Sequence, residues 1–232
     1  MNDLRNKNIV ITGASGGIGN SIVKKLNESG ATILASGTRQ EKLDELKSKF
    51  DNIKILKFDI SQTDKIEEFI DNASKELGGN LDCLINNAGI YEFNSLENLD
   101  KKSILRQFEV NALSPIFITQ SLKPLLKKSS KVAFITSRMG SIEDNSSGSS
   151  YGYRMSKVAL SMAAKSLSID LLKEDIYVAI LHPGLVSTRM TGFTRNGISP
   201  EESADGLLKR IDSLNKENSG TFWHANGEVL PW

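Results

Sequence analysis

Short apolar runs rich in β-branched residues alternate along the chain with longer amphipathic segments. Branched side chains pack well on a pleated surface, so these runs predict strands at 8–12, 31–36, 53–58, 81–86, 131–136 and 176–181, with a weaker one at 220–224. Between them an apolar period near 3.6 predicts helices over 17–29, 39–49, 62–77, 101–127, 152–173 and 200–214. Ser199-Pro200-Glu201-Glu202 carries the signature of a helix start: a capping serine, proline where no N–H is needed, and a glutamate that can complete a capping box. Ser61-Gln62-Thr63-Asp64 suggests another. Alternation of strand and helix predicts an α/β fold, a parallel sheet of about seven strands with helices on both faces, doubly wound. No repeat, long linker or composition break divides 1–232, so one domain is expected, and the serine/glycine-rich stretch 141–150 reads as a loop.

With 232 residues, 39% of them hydrophobic, the chain can bury a substantial core. Its 29 basic and 28 acidic residues are well mixed, for a net charge of +1. No basic tract points to nucleic acid or an anionic membrane, and no apolar run approaches membrane-spanning length. Met1 to Asn6 lacks the apolar stretch of a signal peptide. The single cysteine, Cys83, sits in an apolar run and reads as a buried structural thiol. A soluble cytoplasmic protein is expected.

Two local patterns bring in chemistry. Directly after the first predicted strand comes Thr12-Gly13-Ala14-Ser15-Gly16-Gly17-Ile18-Gly19, which opens a helix. Glycines there permit a sharp turn and let backbone N–H groups approach a pyrophosphate, although a bare structural turn uses glycine too. Farther on, Tyr153 and Lys157 stand four residues apart, on one face of a predicted helix. At ~5 Å and an effective dielectric of ~20 the ammonium would favour the phenolate by roughly 3 kcal/mol. That predicts a phenol well below its usual pKa of about 10, within reach of general-acid work. A plain surface pair is the alternative. Tyr151 has Met155 four residues on and so lacks a cationic partner. Asn111 precedes Pro115 by four residues, so the usual helical bond to its carbonyl cannot form. The freed carbonyl could hold a water linking Lys157 to solvent; a purely structural bend is the other reading.

The spacing of the glycine loop, Asn86-Asn87-Ala88-Gly89, Asn111, Ser137-Arg138-Met139-Gly140, the Tyr/Lys pair, and Pro183-Gly184 followed by Thr188 together resemble the short-chain dehydrogenase/reductase family over essentially the whole chain. The N-terminal half resembles β-ketoacyl-acyl-carrier-protein reductases, and the ending Gly220 to Trp232 resembles the C-factor and sniffer-like carbonyl reductases. The resemblance implies a Rossmann-like sheet, a nicotinamide cofactor and carbonyl/alcohol redox chemistry. It assigns Asn111, Ser137, Tyr153 and Lys157 to catalysis, Tyr153 as general acid, Ser137 on the substrate oxygen, and Lys157 on the nicotinamide ribose.

For the cofactor it implies Gly13, Ser15, Gly17, Ile18 and Gly19 at the pyrophosphate, Asp59 and Ile60 at the adenine, and Asn87, Ala88 and Gly89 after the fourth strand. Pro183, Gly184, Val186 and Thr188 would border the nicotinamide, beside Tyr153 and Lys157. A carboxylate ending the second strand would favour NAD; this chain has Ala35-Ser36-Gly37-Thr38-Arg39 instead. Arg39, helped by Ser36 or Thr38, is expected to take a 2′-phosphate, so NADP(H) is preferred and NAD(H) is the alternative. Arg39 would lie in a first helical turn, where an ion pair with Glu41 is its bland role, as an ordinary helix cap is for Asp59. The Ser137–Tyr153 separation is long for the family, so 141–150 should bulge and wall the substrate.

His182, His224 and Cys83 offer no recognisable metal site, and the two histidines read as capping or packed side chains. The expected partner is a small carbonyl substrate, with an NADP(H)-binding signalling or redox-sensing protein as the non-enzymatic alternative. A homodimer or homotetramer is expected on the helices near 101–127 and 152–173, where Ala159, Ala163 and Ala164 would permit close packing.

Overall fold

Seven strands form one all-parallel sheet in the order β3-β2-β1-β4-β5-β6-β7 in the computed structural model, which describes residues 3–50 and 52–232. Met1 and Asn2, on which part of the leader reading rests, lie outside the described residues. The strands are β1 (Asn8–Ile11), β2 (Thr32–Gly37), β3 (Ile53–Lys57), β4 (Leu81–Asn86), β5 (Leu126–Ile135), β6 (Tyr177–His182) and β7 (Phe222–His224). The helices are α1 (Gly17–Glu28), α2 (Gln40–Lys47), α3 (Ile66–Glu76), α4 (Lys101–Phe108), α5 (Ser114–Leu122), α6 (Tyr151–Leu172) and α7 (Pro200–Asp212). Strand order reverses between β1 and β4, and in open parallel sheets that reversal opens a crevice at the carboxyl ends of the strands.

The period of two along β1 decides which core each side chain joins. Ile9 and Ile11 enter the cluster with Ile22, Leu26, Leu207 and Ile211 of α1 and α7, while Val10 enters the other with Phe69, Leu122 and Leu160 of α3, α5 and α6. Cys83 is fully buried, and desolvation pushes its thiol up to about 12. At α7, Ser199 Oγ accepts from Glu202 N at 3.1 Å ahead of Pro200, as the motif predicts.

The stretch 101–127 departs from one continuous helix. Five π-helical residues, Glu109–Leu113, separate α4 from α5, and a 3₁₀ turn at Lys123–Leu125 leads straight into β5. Pro115 donates no N–H, and Ser114 closes the wide turn by giving both its N–H and its hydroxyl (2.9 Å) to Glu109 O. β5 starts five residues before the predicted 131 because Lys127, Lys128 and Ser129 are exposed and carry no apolar signal. A 3₁₀ turn at Thr63–Lys65 likewise precedes α3. Ala164 is buried on the chain's own sheet, and Ala159, half-buried, packs against the same core.

Candidate active site

The loop after β1 and the loop after β4 are clipped together at the strand-order reversal. Thr12 Oγ1 accepts from Asn87 N and Ala88 N, both at 3.1 Å, and Asn87 Nδ2 donates to Thr12 O at 3.0 Å and Gly13 O at 3.1 Å. Gly13 has φ +64°, and a Cβ on it would lie 2.8 Å from Ala88 Cα, so only glycine fits. α1 then begins with no capping side chain and no carboxylate in its first turn, which leaves first-turn N–H groups and the positive end of the helix available to an anion.

A cleft of about 660 Å³ opens at this point. Gly13, Ser15, Gly17, Ile18 and Gly19 line it, and Asn87, Ala88 and Gly89 form another part of its wall. Thr38, Arg39, Asp59 and Ile60 line it too, and Thr188 packs so closely over Gly17 that a Cβ there would lie 2.7 Å from Thr188 Cγ2. The uncapped helix start and the glycine floor fit a dinucleotide pyrophosphate.

Arg39 sits at the N-cap of α2 with extended backbone rather than in its first turn, is exposed, and makes no ion pair with Glu41 among the described residues. Asp59 Oδ1 accepts from Ser61 N at 3.0 Å and Ser61 Oγ at 2.8 Å, so it fixes its own turn while lining the cleft. Ser36 corrects the sequence reading: it is fully buried within β2, its hydroxyl directed at Ile11 O (3.4 Å), and is not on the wall. Arg106, Glu109, Val110, Arg189 and Met190 also line the cleft. Arg189, next to Thr188, and Glu109 and Val110, just before Asn111, had neighbouring motifs that could have flagged them.

The chemistry-bearing residues meet beyond Gly89. Ser137, just past β5, is buried, accepts from Met139 N at 3.1 Å, and is near enough to the Tyr153 phenol to lower its pKa. Tyr153 lies in the first turn of α6, and Lys157 one turn later donates to Ile135 O at 2.9 Å, its Nζ 5.7 Å from the Tyr153 ring centroid. Asn111 uses its side chain as a bracket: Oδ1 accepts from Ile90 N at 2.8 Å, and Nδ2 donates to Ile90 O at 2.9 Å and Ser156 Oγ at 3.0 Å. A Cβ on Gly89 would lie 3.1 Å from Asn111 Oδ1 and 3.5 Å from Lys157 Nζ, so the lysine adjoins the cleft through that glycine. Tyr151, by contrast, is exposed, and Ser141 accepts from Asp144 N at 3.2 Å to hold a turn.

Burial overturns the expected electrostatics. Desolvation pushes the Tyr153 phenol up to about 12; the Ser137 hydroxyl only partly opposes it, and Tyr91 adds to it. Desolvation also pulls Lys157 down to about 8. Coulomb attraction between the two groups is outweighed by the cost of taking either charge out of water. Tyr91 meets Tyr153 edge to face, centroids 5.1 Å apart at 85°. The phenol therefore keeps its proton throughout the neutral range, the state a proton donor needs.

Past β6 the backbone turns at Gly184 (φ +88°), where an added Cβ would lie 3.5 Å from His224 Cε1. Pro183 O accepts from Ser203 Oγ at 2.7 Å, and Val186 is buried in a bridge to Ile198. Pro183, Gly184, Val186, Tyr153 and Lys157 are not on the wall of the cleft. The register His182↔His224 joins histidines distant in sequence, rings 4.9 Å apart. Burial, then the His224 and Arg138 charges, lowers His182 to about 3. No three His, Cys, Asp or Glu side chains group as metal ligands among the described residues.

A family model described as short chain dehydrogenase matches residues 7–198. The chain is 35% identical over 235 residues to 1-hydroxy-2-glutathionyl-2-methyl-3-butene dehydrogenase of Rhodococcus sp. (strain AD45), covering 97% of this chain and 99% of that protein. It is 43% identical over 157 residues to the C-signal protein of Myxococcus xanthus, covering 66% and 94%. Among solved structures it is similar to the carbonyl reductase Sniffer of D. melanogaster (TM-score 0.92, 28% identity, 98% and 100% covered). It is equally similar to an NADPH-bound carbonyl reductase from chicken fatty liver (TM-score 0.91, 29% identity, 98% and 100% covered). With the cleft, the cluster of Ser137, Tyr153 and Lys157 and these likenesses in agreement, the chain belongs to the short-chain dehydrogenase family of oxidoreductases.

Proposed function

We propose that this enzyme reduces a ketone or aldehyde to an alcohol with NADPH, in the cytoplasm. The observation that carries the reading is the gathering of buried Ser137 and Lys157 about Tyr153, with Lys157 Nζ 5.7 Å from the Tyr153 ring centroid and adjoining the cleft at Gly89. NADPH, when bound, supplies the hydride. Ser137 and Tyr153 hold the substrate oxygen, and Tyr153, protonated at neutral pH, gives up its proton as negative charge builds there. Lys157 binds the ribose, and its charge stabilises the phenolate left behind. Asn111 acts through the Ile90 loop, and its backbone carbonyl, at the π-helical widening, holds a water that returns a proton toward Lys157. Pro115→Ala, which gives this turn back an N–H donor, tests the relay: unchanged turnover and pH dependence would remove it.

Arg39 and Thr38 take the 2′-phosphate, a reading supported by the absent carboxylate after β2 and by the NADPH in the chicken carbonyl reductase. Phe117, Met155, Met162 and Ile169, exposed on α5 and α6, favour a homodimer on this face. The likeness to the Myxococcus C-signal favours a second reading, an NADP(H)-binding signalling protein with little turnover. A panel of ketones, aldehydes and an acetoacetyl thioester, followed by loss of NADPH or NADH absorbance beside a Tyr153→Phe control, separates the readings. Turnover of simple carbonyls supports the reductase, preference for the thioester supports a fatty-acid reductase, and binding without turnover across the panel supports the signalling protein.

A further inference from the structure

We propose that Arg154 is a positioning residue: its guanidinium clamps the turn entering α6 to the turn leaving Ser137, and so sets the substrate wall against Tyr153. Three consecutive residues before α6, Gly148 (φ +62°), Ser149 (+53°) and Ser150 (+51°), are left-handed, a conformation that L side chains resist. Something must hold the two serines there. Arg154 Nε donates to Gly148 O at 3.0 Å and Ser149 O at 3.1 Å, and Nη2 donates to Ser147 Oγ at 2.8 Å. On the other side Nη1 donates to Met139 O at 3.3 Å, in the 3₁₀ turn whose N-cap is Ser137.

Among the described residues no carboxylate pairs with Arg154, so its charge is satisfied by neutral acceptors drawn from both turns. A planar fork of donors suits that bridging geometry, and a lysine does not supply it. The turn so held is coupled to the reacting phenol. Ser150, although at the N-cap of α6, does not cap it; its hydroxyl meets the Tyr91 hydroxyl at 3.1 Å, and Tyr91 stands edge-on to Tyr153. Ser150 N is further pinned to Asn94 O at 2.6 Å.

The catalytic consequence rests on the carbonyl-reductase reading; the structural one does not. Amide exchange over 145–152 is therefore measured without ligand in wild type, Arg154→Ala and Arg154→Lys, alongside NADPH affinity by fluorescence and steady-state kinetics on the best carbonyl of the panel. Arg154→Ala should raise exchange in that segment by ~10-fold or more. It should leave NADPH affinity within about twofold while kcat/KM falls ~10-fold or more, and Arg154→Lys should restore little of either loss. Methylguanidine added to the alanine variant should recover part of the activity. Unchanged exchange would overturn the clamp whether or not the wild type turns over, and raised exchange with unchanged kcat/KM would overturn its positioning role. Absence of turnover in wild type would sink the reductase reading alone. If Arg154→Ala does not fold, Arg154→Gln is judged by the same outcomes.

Discussion

In the glycine-lined cleft the groups offered to a ligand are first-turn N–H groups of α1, and Thr38 and Arg39 on its wall are exposed. In the reacting pocket the working atoms are side chains, and Lys157 is 4% exposed with Ser137 at 6%. Water screens the first region far more than the second, where Tyr153 is half-buried and its two partners are buried, so desolvation weighs more on a charge in the pocket than on one in the cleft. Position alone therefore suffices to read Arg39, whereas the Tyr153–Lys157 pair cannot be understood from spacing without knowing how dry it is.

The sharpest way to break this contrast is Tyr153→Phe. If the pocket does chemistry and the cleft does binding, kcat should fall about 10³-fold while NADPH affinity stays within about twofold. Parallel losses in both would mean the regions are not separable. Lys157 sharpens it next. Its folded pKa of about 8 lies below its ordinary 10.5, so between those values the unfolded chain binds more protons and stability rises with pH. Below pH 8 the charged, buried lysine costs about 3 kcal/mol. Thermal melts of the ligand-free protein should show wild type gaining stability on Lys157→Met as pH goes from 8 to 10.5; parallel melting curves would show that the lysine is not desolvated.

How much could be read beforehand follows the same line. About seven strands in a parallel sheet, β7 the weakest, are implied by apolar runs alternating with helices, because the central strands are buried on both faces and leave nearly unbroken apolar runs. Polar chain hides structure: Lys127 to Ser129 begin β5 without any apolar cue, and the π-helical turn at Glu109–Leu113 follows from Pro115 only once Ser114 is seen bonding Glu109. The glycine loop and Asn87 are legible because backbone geometry dictates their residue types. The His182–His224 contact depends on the β6–β7 register, which nothing local specifies, and the phenol's raised pKa depends on its burial in the fold, with Tyr91 adding to the rise and Ser137 opposing it.

Arg39→Ala tests the wet side. A charge-assisted contact to phosphate contributes about 1.5–3 kcal/mol, so the Kd for NADPH should rise ~10–100-fold while that for NADH barely moves. Because the contact is exposed, the effect should shrink as salt rises from 50 to 500 mM, on the order of what screening predicts. An equal loss for both cofactors would place Arg39 elsewhere than at the 2′-phosphate.

The smallest effect separates two neighbours that the sequence treats as equals. Ser36 and Thr38 are two residues apart, on the same face of an extended strand, and either could assist a phosphate by composition alone. β2 ends between them, at Gly37, where an added Cβ would lie 3.2 Å from Ser15 Oγ. Ser36 therefore stays inside the sheet with its hydroxyl toward Ile11 O, while Thr38 emerges into the cleft. Thr38→Ala should raise the Kd for NADPH about threefold, the worth of one neutral hydrogen bond near solvent. Ser36→Ala should leave it unchanged and lower stability by under about 1 kcal/mol, since it deletes one long buried bond. NADPH titration by fluorescence with a thermal melt reads both variants, and a larger binding loss at Ser36 would mean that β2 ends earlier than Gly37.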